Sequence, residues 1–320
     1  MPLDLRQLRY FAAVADAGAL THAAHTLNVA QSALSHHLAA MEAELGTSLF
    51  ERRARGVVLT AAGQRLYDHA RSILSSMKKV EEDIRTFSEN PTGTVSVGFA
   101  HTAVDLAVLP FIVAVRERLP GIVLHISEGL SITNVNRVFS GEIDIAIAYN
   151  TAEDARLHVE PLLTEDMCLV GKPELIGPNN QPIAFSDLPK QSLIAAYPVG
   201  SLRAIVDSHA LRSKLKPTEM LEIDSLTTLR KAMLHGLGCS ILSRASIIEQ
   251  LDAGTLSARP IAFPDLIRTL EQVALKERPR NRAFEEVSKV LADVIMEQAE
   301  SGRWVCRERL QKRRKPAPNG

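Results

Sequence analysis

Four histidines and three arginines near the N-terminus have types and spacings that could do chemistry. His22 and His25 stand three apart, and His36 and His37 are adjacent. A metal site needs three or four convergent ligands, and only imidazoles are offered here. Histidines that face solvent or a bound partner are therefore the expectation, and no metal. Arg52, Arg53 and Arg55 fall within four residues beside Gly56. They follow a stretch from Tyr10 to Glu51 without Lys or Arg, and from Ala17 to Met41 without an acid. Such a cluster suits phosphate contact, with the minor groove as a further reach. Cys168, Cys239 and Cys306 are odd in number, far apart and without a CxxC pair. That excludes a disulfide framework and a Cys-rich zinc site, and it fits a reducing cytoplasm. Cys168 and Cys239 fall on expected strands, where a buried, inert thiol is the default. GxSxG, HExxH, Walker A and GxGxxG are all missing, so no catalytic residue, enzyme activity or cofactor is expected.

The elements that position the arginines are legible in the spacing. Leu5, Leu8, Phe11, Ala12 and Ala15 recur with helical period, predicting a helix over 4–17 that ends at Gly18. Thr21 is placed to cap a short helix over 22–27, and Asn28 and Val29 make a tight turn. A third helix over 32–45 turns Ala33, Leu34, Leu38 and Met41 inward and closes at Gly46. Two helices joined so briefly suggest helix-turn-helix, whose second helix can enter the major groove. Strands over 48–50 and 57–59 bracket the Arg cluster as a wing. A long helix follows over 60–88. Leu66, Ile73, Val80 and Phe87 repeat every seven residues, as do Gly63, Ala70, Met77 and Ile84. Two interlocking heptad series predict pairing with a second copy of the chain, against the simpler packing of a long helix on its own domain.

The segment LRYFAAVADAGALTHAAHTLNVAQSALSHHLAAMEAELGTSLFERRARGVVLTAAGQRLYDHA resembles the LysR-type transcriptional regulators throughout, and the match continues along the chain. The stretches EDMCLVGKPE, GSLRAIVDSHALR and EIDSLTTLRKAMLHGLGCSILS look most like regulators of nitrogen assimilation and neighbouring subgroups. The resemblance implies an α/β protein overall. It would have a winged helix-turn-helix domain over 1–59, a linker and dimerisation helix over 60–90, and a two-lobed effector domain resembling periplasmic binding proteins over 91–300. It also implies double-stranded DNA as partner, a homodimer and often a homotetramer. Carried over residue by residue, Gln31, Ser32 and Ser35 occupy the exposed start of the recognition helix. Arg52 stands where a backbone-binding arginine is found, with Arg53 and Arg55 beside it. The chain departs from the family at two places. Ala30 replaces the frequent Ser or Thr cap, usually worth about 1 kcal/mol. His36 and His37 replace a frequent Arg or Lys, so affinity is expected to lean on the wing arginines, on oligomer avidity and on histidine protonation.

The length and balance agree with this division. The chain has 320 residues, 37 basic against 37 acidic side chains and 46% hydrophobic residues, enough for two or three domains with cores. Residues 301–320 hold seven basic side chains and one acid, so the first 300 carry six more acids than bases. The basic end extends past the family's usual terminus. It is expected as a solvated tail, with a phosphate-binding or partner-binding arm as the sharper alternative. No apolar run of about 18 residues predicts a membrane span. The acid at Asp4 and the lack of an apolar core after it exclude a signal peptide, which points to the cytoplasm.

From Asn90-Pro91-Thr92-Gly93 onward, strands alternate with helices of about 10–15 residues, predicting mostly parallel sheets. They form two groups. Lobe I spans about 91–163 and 268–300, and lobe II about 164–267, with two crossing segments and a hinged cleft between. In open α/β sheets, ligands sit beyond strand carboxyl ends and at helix N-termini that favour anions. That rule selects Thr102, Ser131, Tyr149 and Asn150 in one lobe, and Ser201 and Thr227 in the other, as candidate effector contacts. The LysR resemblance supports Thr102, Ser131 and Ser201 most directly. Taken singly, each is also an ordinary cap or turn residue. No Lys or Arg is evidently aimed into the cleft, because Arg203 can pair with Asp207; a small acid or polar metabolite is the expected effector. A cytoplasmic solute-binding module without specific DNA binding is the competing class, disfavoured by the Arg-bearing wing.

Overall fold

The structure, a computed structural model, describes residues 3–53, 56–85, 91–196, 221–263, 265–277 and 281–310, with backbone alone at 52, 78–79, 81–85 and 195–196. It divides into two compact units, Met1–Phe87 with Phe139–Glu142, and Ser88–Val138 with Ile143–Gly320.

In the first unit, α1 (Leu5–Ala17) opens with a capping box: Asp4 Oδ1 accepts from Gln7 N at 2.7 Å and Gln7 Oε1 from Asp4 N at 2.9 Å. It closes at Gly18, left-handed at φ 62°. Next comes α2 (Leu20–Leu27), capped by Ala19 without a side-chain bond. Thr21 therefore lies inside the helix and caps nothing, because Leu20 packs against the core and starts the helix earlier. Asn28, at φ 54°, ends it. Helix α3 (Gln31–Leu45) buries Leu34, Leu38 and Met41. Ala33 is exposed rather than inward, on the outer flank of that stripe.

The wing is β1 (Phe50–Arg53) paired antiparallel with β2 (Gly56–Leu59), Phe50 opposite Leu59 and Arg53 opposite Gly56. Both strands approach the turn more closely than expected, so Arg52 and Arg53 belong to β1 instead of the connection. A Cβ at Gly56 would come within 2.2 Å of Gly18 O, where Val57 N donates at 2.8 Å. Glycine is the residue that lets the wing lie against the end of α1. Glu42 fastens α3 to the wing by accepting from Leu49 N at 2.7 Å. Thr60 caps α4 (Ala61–Arg85), accepting from Gly63 N at 2.9 Å while donating to Ser48 O. Ala70 is buried in the unit's core, and Leu66 and Leu74 pack against it. Ile73, Met77 and Val80 stay exposed on the single chain.

In the second unit, β3 (Gly93–Ala100) pairs in parallel with β4 (Ile122–Gly129) and β5 (Ile145–Tyr149), with α5 (Val104–Arg118) and α6 (Ser131–Phe139) between. Strand β6 (Leu157–Gly171) is the long one. It runs unbroken across the boundary near 163–164 that the sequence suggests between the two lobes. In its second half it pairs with β10 (Ser240–Ser243) and β11 (Ser257–Ala262). In its first half it pairs with β12 (Ile267–Leu275). Short pairs β7 (Ile183–Ala184) with β11, and β8 (Ile194–Ala196) with β9 (Leu221–Ile223), are parallel. Helix α7 (Leu226–Leu234) and the long α8 (Arg282–Glu300) complete the elements used below.

The sheet is thus mixed, not mostly parallel. A chain that leaves lobe I and returns to it must cross in opposite directions, so β6 and the β11–β12 strands are antiparallel. The lobe I core sets Val95, Val97, Phe99, Ile145 and Ile147 against Phe111 of α5 and Val287, Leu291 and Ile295 of α8. Lobe II packs Met167, Leu169, Phe185, Leu188 and Ile261. Among the described residues, no helix is long and apolar enough to cross a membrane.

The chain's end is not a free solvated tail over 303–310. Trp304 is fully buried, and β13 (Glu308–Arg309) adds to β6 opposite Leu163 and Thr164. The remaining basic residues, Lys312 to Lys315, lie outside the described residues.

Candidate functional site

Gln31, Ser32 and His36 are exposed along α3, while Ser35 and His37 are half-buried. Gln31 and Ser35 are four apart, as are Ser32 and His36, so each pair shares a face over the first turns. His37 packs on Tyr10 of α1, ring centroids 5.3 Å apart. His36 is therefore the more outward of the two imidazoles. Ala30 provides no side-chain cap, so the first N–H groups of α3 point out without a protein oxygen from that residue. Arg53 is exposed and paired with Glu51 at 2.6 Å, an ion pair that solvent weakens and a phosphate can replace. The side chain of Arg52 and all of Arg55 lie outside the described residues.

Of the effector candidates, Thr102, Ser131 and Tyr149 come together at the carboxyl ends of β3, β4 and β5. Thr102 sits half-buried in the single turn 101–103 that joins β3 to α5. Ser131 is the first residue of α6, and its Oγ accepts from Tyr149 N at 3.0 Å. Tyr149 is the last residue of β5 and is buried. Burial pushes its phenol well above the usual tyrosine range, the Arg268 charge opposing. Its hydroxyl makes no hydrogen bond of good geometry among the described residues, although Thr102 and Glu165 lie close enough to act on its ionisation. Asn150 takes the left-handed conformation at φ 48° and spends its Oδ1 on Thr269 N at 2.8 Å, fastening β5 to β12. Thr227 is exposed in the first turn of α7, which Ser225 caps through Thr228 N. Ser201, like Arg203 and Asp207, lies outside the described residues.

Sequence reasoning misses Arg268. It is buried on β12 with its guanidinium 3.5 Å from the Tyr149 ring centroid. Its Nε donates to Glu165 Oε2 at 2.9 Å and its Nη2 to Ser243 Oγ at 2.7 Å. A buried charge needs such partners, and here they come from β6 and from β10 beside it. The one local sign is an Arg inside an otherwise strand-like run. A second missed group is His101, whose Nδ1 lies 2.7 Å from Glu128 Oε1 beside Thr102.

A helix-turn-helix with a wing, together with an α/β unit that gathers hydroxyls at its strand ends, defines a DNA-binding regulator that carries an effector domain. Residues 5–64 match the family model "Bacterial regulatory helix-turn-helix protein, lysR family", and 88–295 match "LysR substrate binding domain". The chain belongs to the LysR family of transcriptional regulators. It is 32% identical over 245 residues to the nitrogen assimilation regulatory protein nac of Klebsiella aerogenes, covering 76% of this chain and 79% of that one. It is 30% identical over 305 residues to the transcriptional regulator BbuR of Bordetella bronchiseptica, covering 95% and 93%. These relatives are named as regulators, not enzymes. A full-length OxyR variant of Pseudomonas aeruginosa shares the fold, with a TM-score of 0.69, 24% identity, and 91% and 97% of the two chains covered.

Proposed function

We propose that this regulator senses a small acid or polar metabolite held by Thr102, Ser131, Tyr149 and Asn150 from one lobe and Ser201 and Thr227 from the other. Ser131 carries the reading. Its oxygen is already engaged by Tyr149 N at 3.0 Å, so its proton remains for an acceptor on the ligand. It also opens α6, where free N–H groups and the helix dipole favour negative charge. Effector binding shifts the relation of the lobes and so the spacing or bend of bound DNA.

On the DNA side, Gln31, Ser32, Ser35, His36 and His37 address bases and nearby phosphates, and Arg52, Arg53 and Arg55 the backbone. The division is 1–59, 60–90 and 91–300, with 301–310 docked on the last. Helix α4 pairs two copies through Ile73, Met77 and Val80, which are exposed at heptad positions, the Ile84 side chain and Phe87 lying outside the described residues, and two dimers make a tetramer in the cytoplasm.

A salt-titrated footprint on the DNA upstream of the gene tests the DNA half; two or more half-sites about one or more helical turns apart are expected. A thermal-shift screen of small carboxylic acids tests the cleft. A hit whose shift survives in S131A would remove Ser131 from the site.

A further inference from the structure

The chain's end meets the hinge at several independent points. Trp304 is fully buried and its Nε1 donates to Glu165 Oε1 at 2.7 Å. The other oxygen of the same carboxylate holds Arg268, whose guanidinium lies 3.5 Å from the Tyr149 ring centroid. Beyond Trp304, Arg307 N donates to Thr164 O at 2.7 Å and Leu310 N to Leu162 O at 2.9 Å, with β13 between them on β6. The Arg307 side chain takes Asp166 of β6 at 3.3 Å and also Asp265, just before β12. The segment therefore grips both crossing strands at the point where lobe I becomes lobe II.

We propose that Trp304–Leu310 is a strap across the hinge, and that Trp304 is a positioning residue for effector sensing. It acts through Glu165 and Arg268 to set Tyr149 in the cleft. A single carboxylate divides its two oxygens between the strap and the guanidinium. Releasing the indole lets Glu165 turn, and the cation under Tyr149 turns with it. The chain's end then influences how far the lobes stand apart, and a ligand that moves Tyr149 moves the strap in return. The proposal rests on the reading of the cleft as the effector site.

Hydrogen exchange in the ligand-free, full-length protein tests it with W304F, which keeps an aromatic ring and loses the donor. The amides to follow are Tyr149 on Ser131 Oγ, Asn150 on Thr269 O and Thr269 on Asn150 Oδ1. Exchange there is expected to rise about tenfold, while Val97–Phe99 in the centre of β3 keeps its rate. E165Q should loosen the same amides with the strap still docked. Trp304 is the chain's one tryptophan, so its emission reports docking directly. Truncation after Gly302 should exceed both; if that chain does not fold, W304F decides alone. Wild-type rates at the three amides in W304F, or a uniform rise that includes Val97–Phe99, would overturn the proposal. No effector is added, so a cleft that binds none of the acids leaves this result standing. Equally, a wild-type pattern in W304F leaves the effector reading standing.

Discussion

Asp105, in the first turn of α5, receives the Arg230 guanidinium from α7 of the opposite lobe. Arg230 also donates through Nε to Ser246 O at 2.7 Å, so one side chain ties lobe II to lobe I at a second place besides the hinge strands. Both partners are mostly shielded, at 16% and 23% side-chain exposure, so the bond is worth more than a surface pair. Replacing Arg230 by Met keeps the stem and removes the tie. A loss of about 1–3 kcal/mol is expected on denaturant titration, with a larger radius of gyration by X-ray scattering. An unchanged radius would show that the hinge strands alone hold the lobes.

The uncapped recognition helix offers a gain of stability. Ala30 sits at the N-cap in extended conformation, φ −67° and ψ 137°, with no side chain to meet the N–H groups of α3. Ala30→Ser should raise stability by about 1 kcal/mol, read as a higher urea midpoint at unchanged slope. A midpoint that stays or falls would mean that the serine rotamer does not reach those N–H groups.

Glu271 should impose a pH dependence of defined sign. Burial raises its pKa, while the Thr151 N–H bond at 2.7 Å opposes the shift. A carboxyl that holds its proton more tightly folded than unfolded makes stability fall as pH rises from the ordinary glutamate value, about 4.3, through the raised folded value. A glutamine side chain keeps the acceptor for Thr151 N and does not titrate. E271Q should therefore gain on wild type across that window and hold the advantage at neutral pH. Parallel melting curves for the two proteins over the window would refute the assignment.

The three thiols should separate cleanly. Burial pushes Cys168 up to about 12 and Cys239 up to about 11, and both are enclosed. Cys306 is half-exposed. Burial raises the Cys306 thiol as well, but it is the least enclosed of the three, so near neutral pH a thiolate-selective reagent should label it slowly and the other two only after denaturation. Rapid native labelling of Cys168 or Cys239 would show that lobe II opens on the labelling timescale.

The first sixty residues are legible because their signals are local. Helical periods, glycines at positions 18 and 46 and a short turn at Asn28 each act within a few residues, and they recur in the structure as two left-handed glycine caps and a left-handed Asn. The departures there are also local: Thr21 loses its cap to the packing of Leu20, and the wing strands lengthen to take in Arg52 and Arg53.

The alternation after Asn90 is enough to establish an α/β domain with a crossing, and Thr102, Ser131 and Tyr149 follow from the rule for strand ends. Nothing local discloses that β6 runs through both lobes, because a strand shared by two cores carries no single-domain pattern. Nor does it disclose that Trp304 bonds a carboxylate 139 residues earlier or that Arg268 comes to lie under Tyr149. Periodicity and capping depend on neighbours in the chain, so the sequence alone determined the helices, the wing and the family. The partners of Arg268, Glu165 and Trp304 depend on where the returning strand and residues 304–310 fold against β6, which is a matter of long-range packing.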